Sequence, residues 1–177
     1  MYIWIGCKLP EEFEREIRSF CLEKNQELGL DPVAFSLPQH ISLKISFETE
    51  RAEEILADLP RFFAAQPPFA VQICEVEQNG NILWMTVGEN ETLRQLHEKL
   101  DDHLGNRFGI AQHLFDTCFQ FHSTLFIDPD RENLAEMKAL LLDFALPREL
   151  TVDTILLGAS DTGKPGTYAV VRTIDLR

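Results

Sequence analysis

Positive charge is scarce in this chain: 16 Lys and Arg stand against 29 Asp and Glu, a formal net charge of -13 with a pI near 4.7. That balance repels the phosphate backbone of a long nucleic acid, and so excludes a protein whose affinity comes from a broad basic face. A small anion held in a locally basic cleft is compatible with it. Cysteine is sparse too. Cys7, Cys21, Cys74 and Cys118 show no C-x-x-C spacing and no small-scaffold context, so they read as reduced, mostly buried thiols of a cytoplasmic protein. No apolar run approaches the roughly 20 residues that cross a bilayer, and the Met1 to Leu9 run is too short for a secretory signal and meets Pro10 at once. No membrane partner is expected. Low-complexity segments and linkers are also missing, so residues 1–177 read as a single bilobal domain, its 45% hydrophobic residues enough for a sizeable core.

What is present is periodic. Tyr2 to Cys7 is rich in aromatic and β-branched residues and stops at Lys8-Leu9-Pro10, which predicts a strand with Ile3, Ile5 and Cys7 toward the core. Phe13, Ile17, Phe20, Cys21 and Leu28 make one stripe on a helix opened by Pro10 and closed by Gly29. A strand at His40 follows, then a helix from near Thr49 carrying Ile55, Leu56, Leu59, Phe62 and Phe63, then a strand from Phe69 to Glu77. Gln78-Asn79-Gly80-Asn81 is a turn signal. From Ile82 the order starts again: strand Ile82 to Val87, helix with Leu93, Leu96, Leu100, Leu104 and Phe108, a strand at His122, and a helix with Leu134, Met137, Leu141 and Phe144. One strand from Glu149 to Leu157 and another from Thr167 to Ile174 complete it.

The chain is therefore expected to be a duplicated β-α-β-α-β unit, with pseudo-repeats of about 1–78 and 79–177. Trp4 matches Trp84, 80 residues on, and His40 matches His122, 82 residues on. Each histidine opens a strand in the pattern His-x-Ser/Thr. Alternation along a strand puts His40, Ser42 and Lys44 on one side and Ile41, Leu43, Ile45 and Phe47 on the other. In the second copy His122 and Thr124 share a side opposite Leu125 and Ile127. An imidazole beside a hydroxyl suits a phosphate, one group moving a proton while the other donates a hydrogen bond. Equivalent positions in two repeats let the two wet faces oppose each other across a central cleft.

Other residues are candidates by position. Lys44 is an expected anion contact, with Phe126 at the matching place of the second copy. Trp4 and Trp84 fall on the histidine side, either to stack on a base or to pack the cleft rim. Tyr168 and Arg172 lie on one face of the last strand, to reach substrate or to cover the sheet. The Ser160 to Gly166 segment lacks the G-x-x-x-x-G-K-[ST] spacing and reads as a hairpin loop at the cleft mouth. His97 and His103 are six residues apart, which is not a helical ligand spacing, and together with loop residue His113 they read as surface or partly packed residues. No third ligand recurs near His40 or His122, so no metal is assigned.

Taken together, the paired motifs His40-Ile41-Ser42-Leu43 and His122-Ser123-Thr124-Leu125 resemble the two-histidine (2H) phosphoesterase superfamily, which includes the 2′-5′ RNA ligase-like (LigT-like) proteins and cyclic phosphodiesterases. The resemblance covers essentially the whole chain. The second motif departs from the family pattern, because Ser123 holds the usual apolar position and, facing the core, needs a hydrogen-bond partner. The resemblance implies an α+β fold of two antiparallel sheets facing across a central cleft with helices outside. It implies His40 and His122 as the catalytic acid/base pair, Ser42 and Thr124 as phosphate-binding hydroxyls, and no cofactor. The implied activity is metal-independent hydrolysis of a cyclic phosphate, such as a 2′,3′-cyclic nucleotide or RNA end, or of a 2′-5′ linked nucleotide. A non-catalytic nucleotide-binding module and an RNA 2′-5′ ligase or end-processing protein are the alternatives. The expected partner is a small nucleotide, with a short RNA end possible, and the chain is expected to act as a monomer.

Overall fold

The computed structural model describes residues 1–114, 116 and 119–177, so the expectation for Cys118 lies outside the described residues. Strand β1 (Tyr2–Lys8) leads to helix α1 (Glu11–Leu28), then β2 (His40–Glu48), α2 (Ala52–Phe62) and β3 (Phe69–Asn79). The second round is β4 (Ile82–Val87), α3 (Glu91–Phe108), β5 (His122–Ile127), α4 (Arg131–Leu140) and β6 (Arg148–Val152), followed by β7 (Thr154–Ser160) and β8 (Ala169–Asp175).

Local chemistry sets most of these limits. Helix α1 ends on Gly29 at φ 67°, whose N–H donates back to the Asn25 carbonyl, a left-handed cap that costs glycine little. Asn90 and Asp130 open α3 and α4 by accepting backbone N–H groups of the first turn. Helix α4 stops at Leu140, short of the expected Phe144, which follows a 3-10 turn and packs its ring against Phe13 and Phe20. Helix α2 contains Pro60, which cannot donate to the carbonyl four residues back. That carbonyl belongs to Leu56 and accepts instead from Arg172 at 2.9 Å. Arg172 therefore covers a helix carbonyl of the protein itself.

Two four-stranded sheets result, with orders β2-β1-β7-β8 and β5-β4-β3-β6, and every pairing is antiparallel. The single strand expected from Glu149 to Leu157 is two strands in different sheets: the chain turns at Asp153, β6 pairing with β3 and β7 with β1. The halves exchange parts in other ways too. Strand β3 of the first repeat pairs with β4 of the second, α3 packs on β2, and α1 packs on α4. One continuous apolar core joins residues of both sheets and all four helices. Cys7 and Cys21 are free and buried in it, and burial pushes the Cys21 thiol up to about 12 and the Cys7 thiol further. Among the described residues no helix is long and apolar enough to cross a membrane.

The exchange places β2 and β5 at the inner edges of their sheets, packed against each other. One polar contact crosses this seam inside the core. The Ser123 hydroxyl, fully buried, donates to Gln39 Oε1 at 2.9 Å, and Gln39 is itself 2% exposed. The residue after His122 is thereby bound to the residue before His40. Ser123→Ala strands the Gln39 oxygen, and chemical denaturation is expected to show a loss of about 1–3 kcal/mol. An unchanged or higher stability would show that the contact does not hold the seam.

Candidate active site

His40 and His122 each stand at the first residue of an inner-edge strand, and each is fixed the same way. His40 Nδ1 lies 2.7 Å from the Pro38 carbonyl and His122 Nδ1 lies 2.8 Å from the Gln120 carbonyl. A carbonyl only accepts, so in the neutral ring Nδ1 carries the proton and Nε2 presents a lone pair. Nε2 of each ring has no protein partner among the described residues. Burial pushes His40 down to about 4, with the Pro38 carbonyl opposing the shift and the charge of His122 adding to it. Burial also lowers His122, opposed by the Gln120 carbonyl.

A tryptophan backs each imidazole. Trp4 meets His40 edge-on with ring centroids 4.1 Å apart, and Trp84 lies tilted against His122 at 4.2 Å. The indoles are only 6% and 7% exposed, so both are largely packed. Glycine makes the first of these contacts possible. A Cβ on Gly6 or Gly158 would stand 2.7 or 2.5 Å from ring atoms of Trp4, so both backbones are bare where the indole lies. Ser42 accepts from Trp4 Nε1 at 3.2 Å, whereas Trp84 Nε1 is buried without a partner. Ser42 and Thr124 are half-buried beside their histidines.

Lys44 and Phe126 depart from the alternation expected of them, for one shared reason. The β1 and β2 register runs Gly6 to Ser42 and then Ile5 to Lys44, one residue against two, and β4 and β5 run Trp84 to Thr124 and then Leu83 to Phe126. Each step is a β-bulge, which turns the next side chain to the other face. Lys44 and Phe126 therefore sit on the core side, opposite Ile5 and Leu83. Phe126 is fully buried against Phe35. Lys44 is 2% exposed, bonded to Asp101 at 2.5 Å and to Asp116. Tyr168 shares a hydrogen bond with Ser46 on β2 and donates to the Gly163 carbonyl, which ties the β7–β8 loop to the histidine strand.

Two hydroxyl-flanked imidazoles on adjoining strands agree with a family-level match: the model described as "2'-5' RNA ligase superfamily" aligns with residues 9–164. The chain belongs to the 2′-5′ RNA ligase superfamily. Its solved structural neighbours share that superfamily's two-histidine phosphoesterase fold. TT0787 of Thermus thermophilus superposes with a TM-score of 0.66 at 19% identity, covering 100% of this chain and 98% of that one. LigT of E. coli complexed with 3'-AMP gives 0.61 at 19% identity, covering 98% and 96%. Among curated proteins, a candidate phosphoesterase of Geobacillus thermodenitrificans (strain NG80-2) is 32% identical over 69 residues, 36% of this chain and 40% of the relative. A second, from Geobacillus kaustophilus (strain HTA426), is 32% identical over 84 residues, 45% and 47%. These alignments span less than half of either relative.

In this superfamily member, the histidines outside the two motifs each take part in other hydrogen bonds. His97, expected at the surface or partly packed, is 5% exposed: its α3 position carries it onto β2, with Nδ1 2.7 Å from the Leu43 carbonyl and Nε2 3.2 Å from the Asp116 carbonyl. His103 pairs with Asp58 at 2.6 Å. The backbone N–H of His113 donates to Asp116. The His97, Asp101 and Asp116 cluster has metal-ligand atom types within 4.8 Å of one another. The Lys44 ammonium bridges the carboxylates and both imidazole nitrogens face carbonyls, so no metal is assigned there. A cavity of about 380 Å³ beside this cluster, lined by His97, Asp101, Asp116, Phe119 and Phe121 among others, contains neither motif histidine.

Replacing Lys44 with Met leaves two buried carboxylates without their cation. Urea denaturation is expected to show a loss of about 3–5 kcal/mol. A variant of unchanged stability but weakened nucleotide binding would put Lys44 against the ligand instead.

Proposed function

We propose that the chain is a metal-independent phosphoesterase that hydrolyses a cyclic phosphodiester, a 2′,3′-cyclic nucleotide or RNA end, or a 2′-5′ linked nucleotide. The observation that carries the proposal is the matched pair of half-buried imidazoles, each locked as the Nδ1–H tautomer and each beside a hydroxyl, on adjoining strands. One Nε2 takes a proton from water as its oxygen bonds to phosphorus. The other, protonated, gives its proton to the ribose oxygen as the phosphorus–oxygen bond breaks. Ser42 and Thr124 donate to the non-bridging oxygens, where charge builds in the transition state. Both proton transfers are supplied by side chains of this chain.

Superfamily membership and the names of the Geobacillus relatives support a phosphoesterase. Solved LigT complexes with 3'-AMP, ATP and NADP+ support a nucleotide as the ligand class. The acidic surface favours a small ligand over a long RNA. The same LigT complexes sustain a second reading, a module that binds nucleotides without turnover, and product analysis on a panel of 2′,3′-cyclic nucleotides separates the two.

His40→Ala and His122→Ala are each expected to lower the hydrolysis rate on the order of 10²- to 10⁴-fold, with EDTA without effect. Full activity in both variants, or loss on chelation, would overturn the reading. The pH dependence has a definite sign. Burial keeps both rings neutral at pH 7 in the free chain, while catalysis needs one of them protonated. The kcat/KM profile is therefore expected to rise as pH falls below 7, toward a maximum between about 4, where His40 titrates, and 6.5. A maximum above pH 7.5 would contradict it.

A further inference from the structure

We infer that Trp4 is a positioning residue that fixes the Ser42 hydroxyl as a hydrogen-bond donor to phosphate, and that the second half of the site has no equivalent device. The inference rests on the proposed function, because it assigns Ser42 to the ligand. A serine hydroxyl has one proton and two acceptor lone pairs. Trp4 Nε1–H, 3.2 Å from Ser42 Oγ, occupies one lone pair and cannot accept in return, so the Ser42 proton must point elsewhere. The indole that does this has little freedom. It lies over the bare backbones of Gly6 and Gly158, is 6% exposed, and meets the His40 ring edge-on at 4.1 Å. One side chain thus sets both the hydroxyl and the imidazole of the first motif.

The second motif differs at this point. Trp84 stands directly opposite Thr124 in the β4–β5 register, yet its Nε1 is buried without a partner among the described residues. The Thr124 proton is consequently unconstrained by its tryptophan. The pseudo-twofold pair is chemically unequal, with a preset phosphate donor on the His40 side and an adaptable one on the His122 side.

The test removes the N–H without changing the ring's shape. Incorporation of β-(3-benzothienyl)alanine at position 4 replaces it by sulfur, and Trp4→Phe serves as a second variant should the first fold poorly. Binding of adenosine 3′-phosphate by calorimetry and hydrolysis of 2′,3′-cyclic AMP are measured in the native and Ser42→Ala backgrounds. Loss of one ordering hydrogen bond is expected to weaken binding and kcat/KM on the order of 5- to 10-fold in the native background. In Ser42→Ala no further loss is expected, and with benzothienylalanine the shape of the pH profile is retained because the ring against His40 is kept. The matching cycle at Trp84 and Thr124 is expected to show no coupling. An equal loss in both backgrounds, or no loss, would overturn the inference and leave Trp4 as packing alone. Coupling on binding together with full turnover in the histidine variants would sink the proposed reaction while sustaining this role. Failure of the native chain to bind or hydrolyse either compound would overturn both.

Discussion

Each imidazole of the pair gives its Nδ1 proton to the carbonyl two residues upstream, Pro38 for His40 and Gln120 for His122. Those two short contacts decide the tautomer, the ring orientation and the availability of Nε2, and much of the surrounding structure serves to hold them. The carbonyls belong to the segments that lead into the strands, so the rings can keep their orientation only while those lead-ins stay put. The first lead-in is fixed by Leu9, whose N–H donates to the Gln39 carbonyl, and the second by Val87, whose N–H donates to that of Phe121.

The exchange of parts between the repeats explains why both lead-ins stay in register with each other. Had each repeat built its own sheet and its own helical cover, the two histidine strands would lie on two bodies free to shift. Instead β3 belongs to the second sheet, α3 rests on β2, and the Lys44 to Asp101 and Asp116 cluster fastens the His40 strand to α3 and to the chain that runs toward His122. Both halves of that cluster are buried, where a lone charge is costly and a matched set of charges tolerates little displacement. The Gln39 to Ser123 bond adds a direct tie between the motifs. A pair of imidazoles held in this way suits a small anion, and the net charge of -13 over the whole chain discourages longer ones.

The strands, the helices and the two motifs were legible because they obey periods of 2 and 3.6 and carry ordinary punctuation, such as Gly29 at the end of α1 and the Asn79-Gly80 turn. The need of Ser123 for a partner was legible from its core-facing place in the motif, although the partner's identity, Gln39, was not, since nothing local links residues 84 positions apart. Lys44 and Phe126 were misplaced because a bulge adds one residue without leaving a mark in hydrophobic alternation. The same limit hid the break at Asp153: β6 and β7 follow one another with only that residue between them and read as one strand, and only tertiary pairing divides them between sheets. His97 was read as a surface or partly packed residue, while its hydrogen bond from α3 to the Leu43 carbonyl depends on helix exchange between repeats.

The central claim is that His40 and His122 act on a single phosphorus centre from two adjoining strands. Imidazole ¹⁵N resonances followed while inorganic phosphate is titrated into the full chain test it most directly. The account predicts that Nε2 of both rings shifts along one binding curve with a common dissociation constant, while both Nδ1 atoms keep their protons. Two unrelated curves, or a response from only one ring, would contradict it.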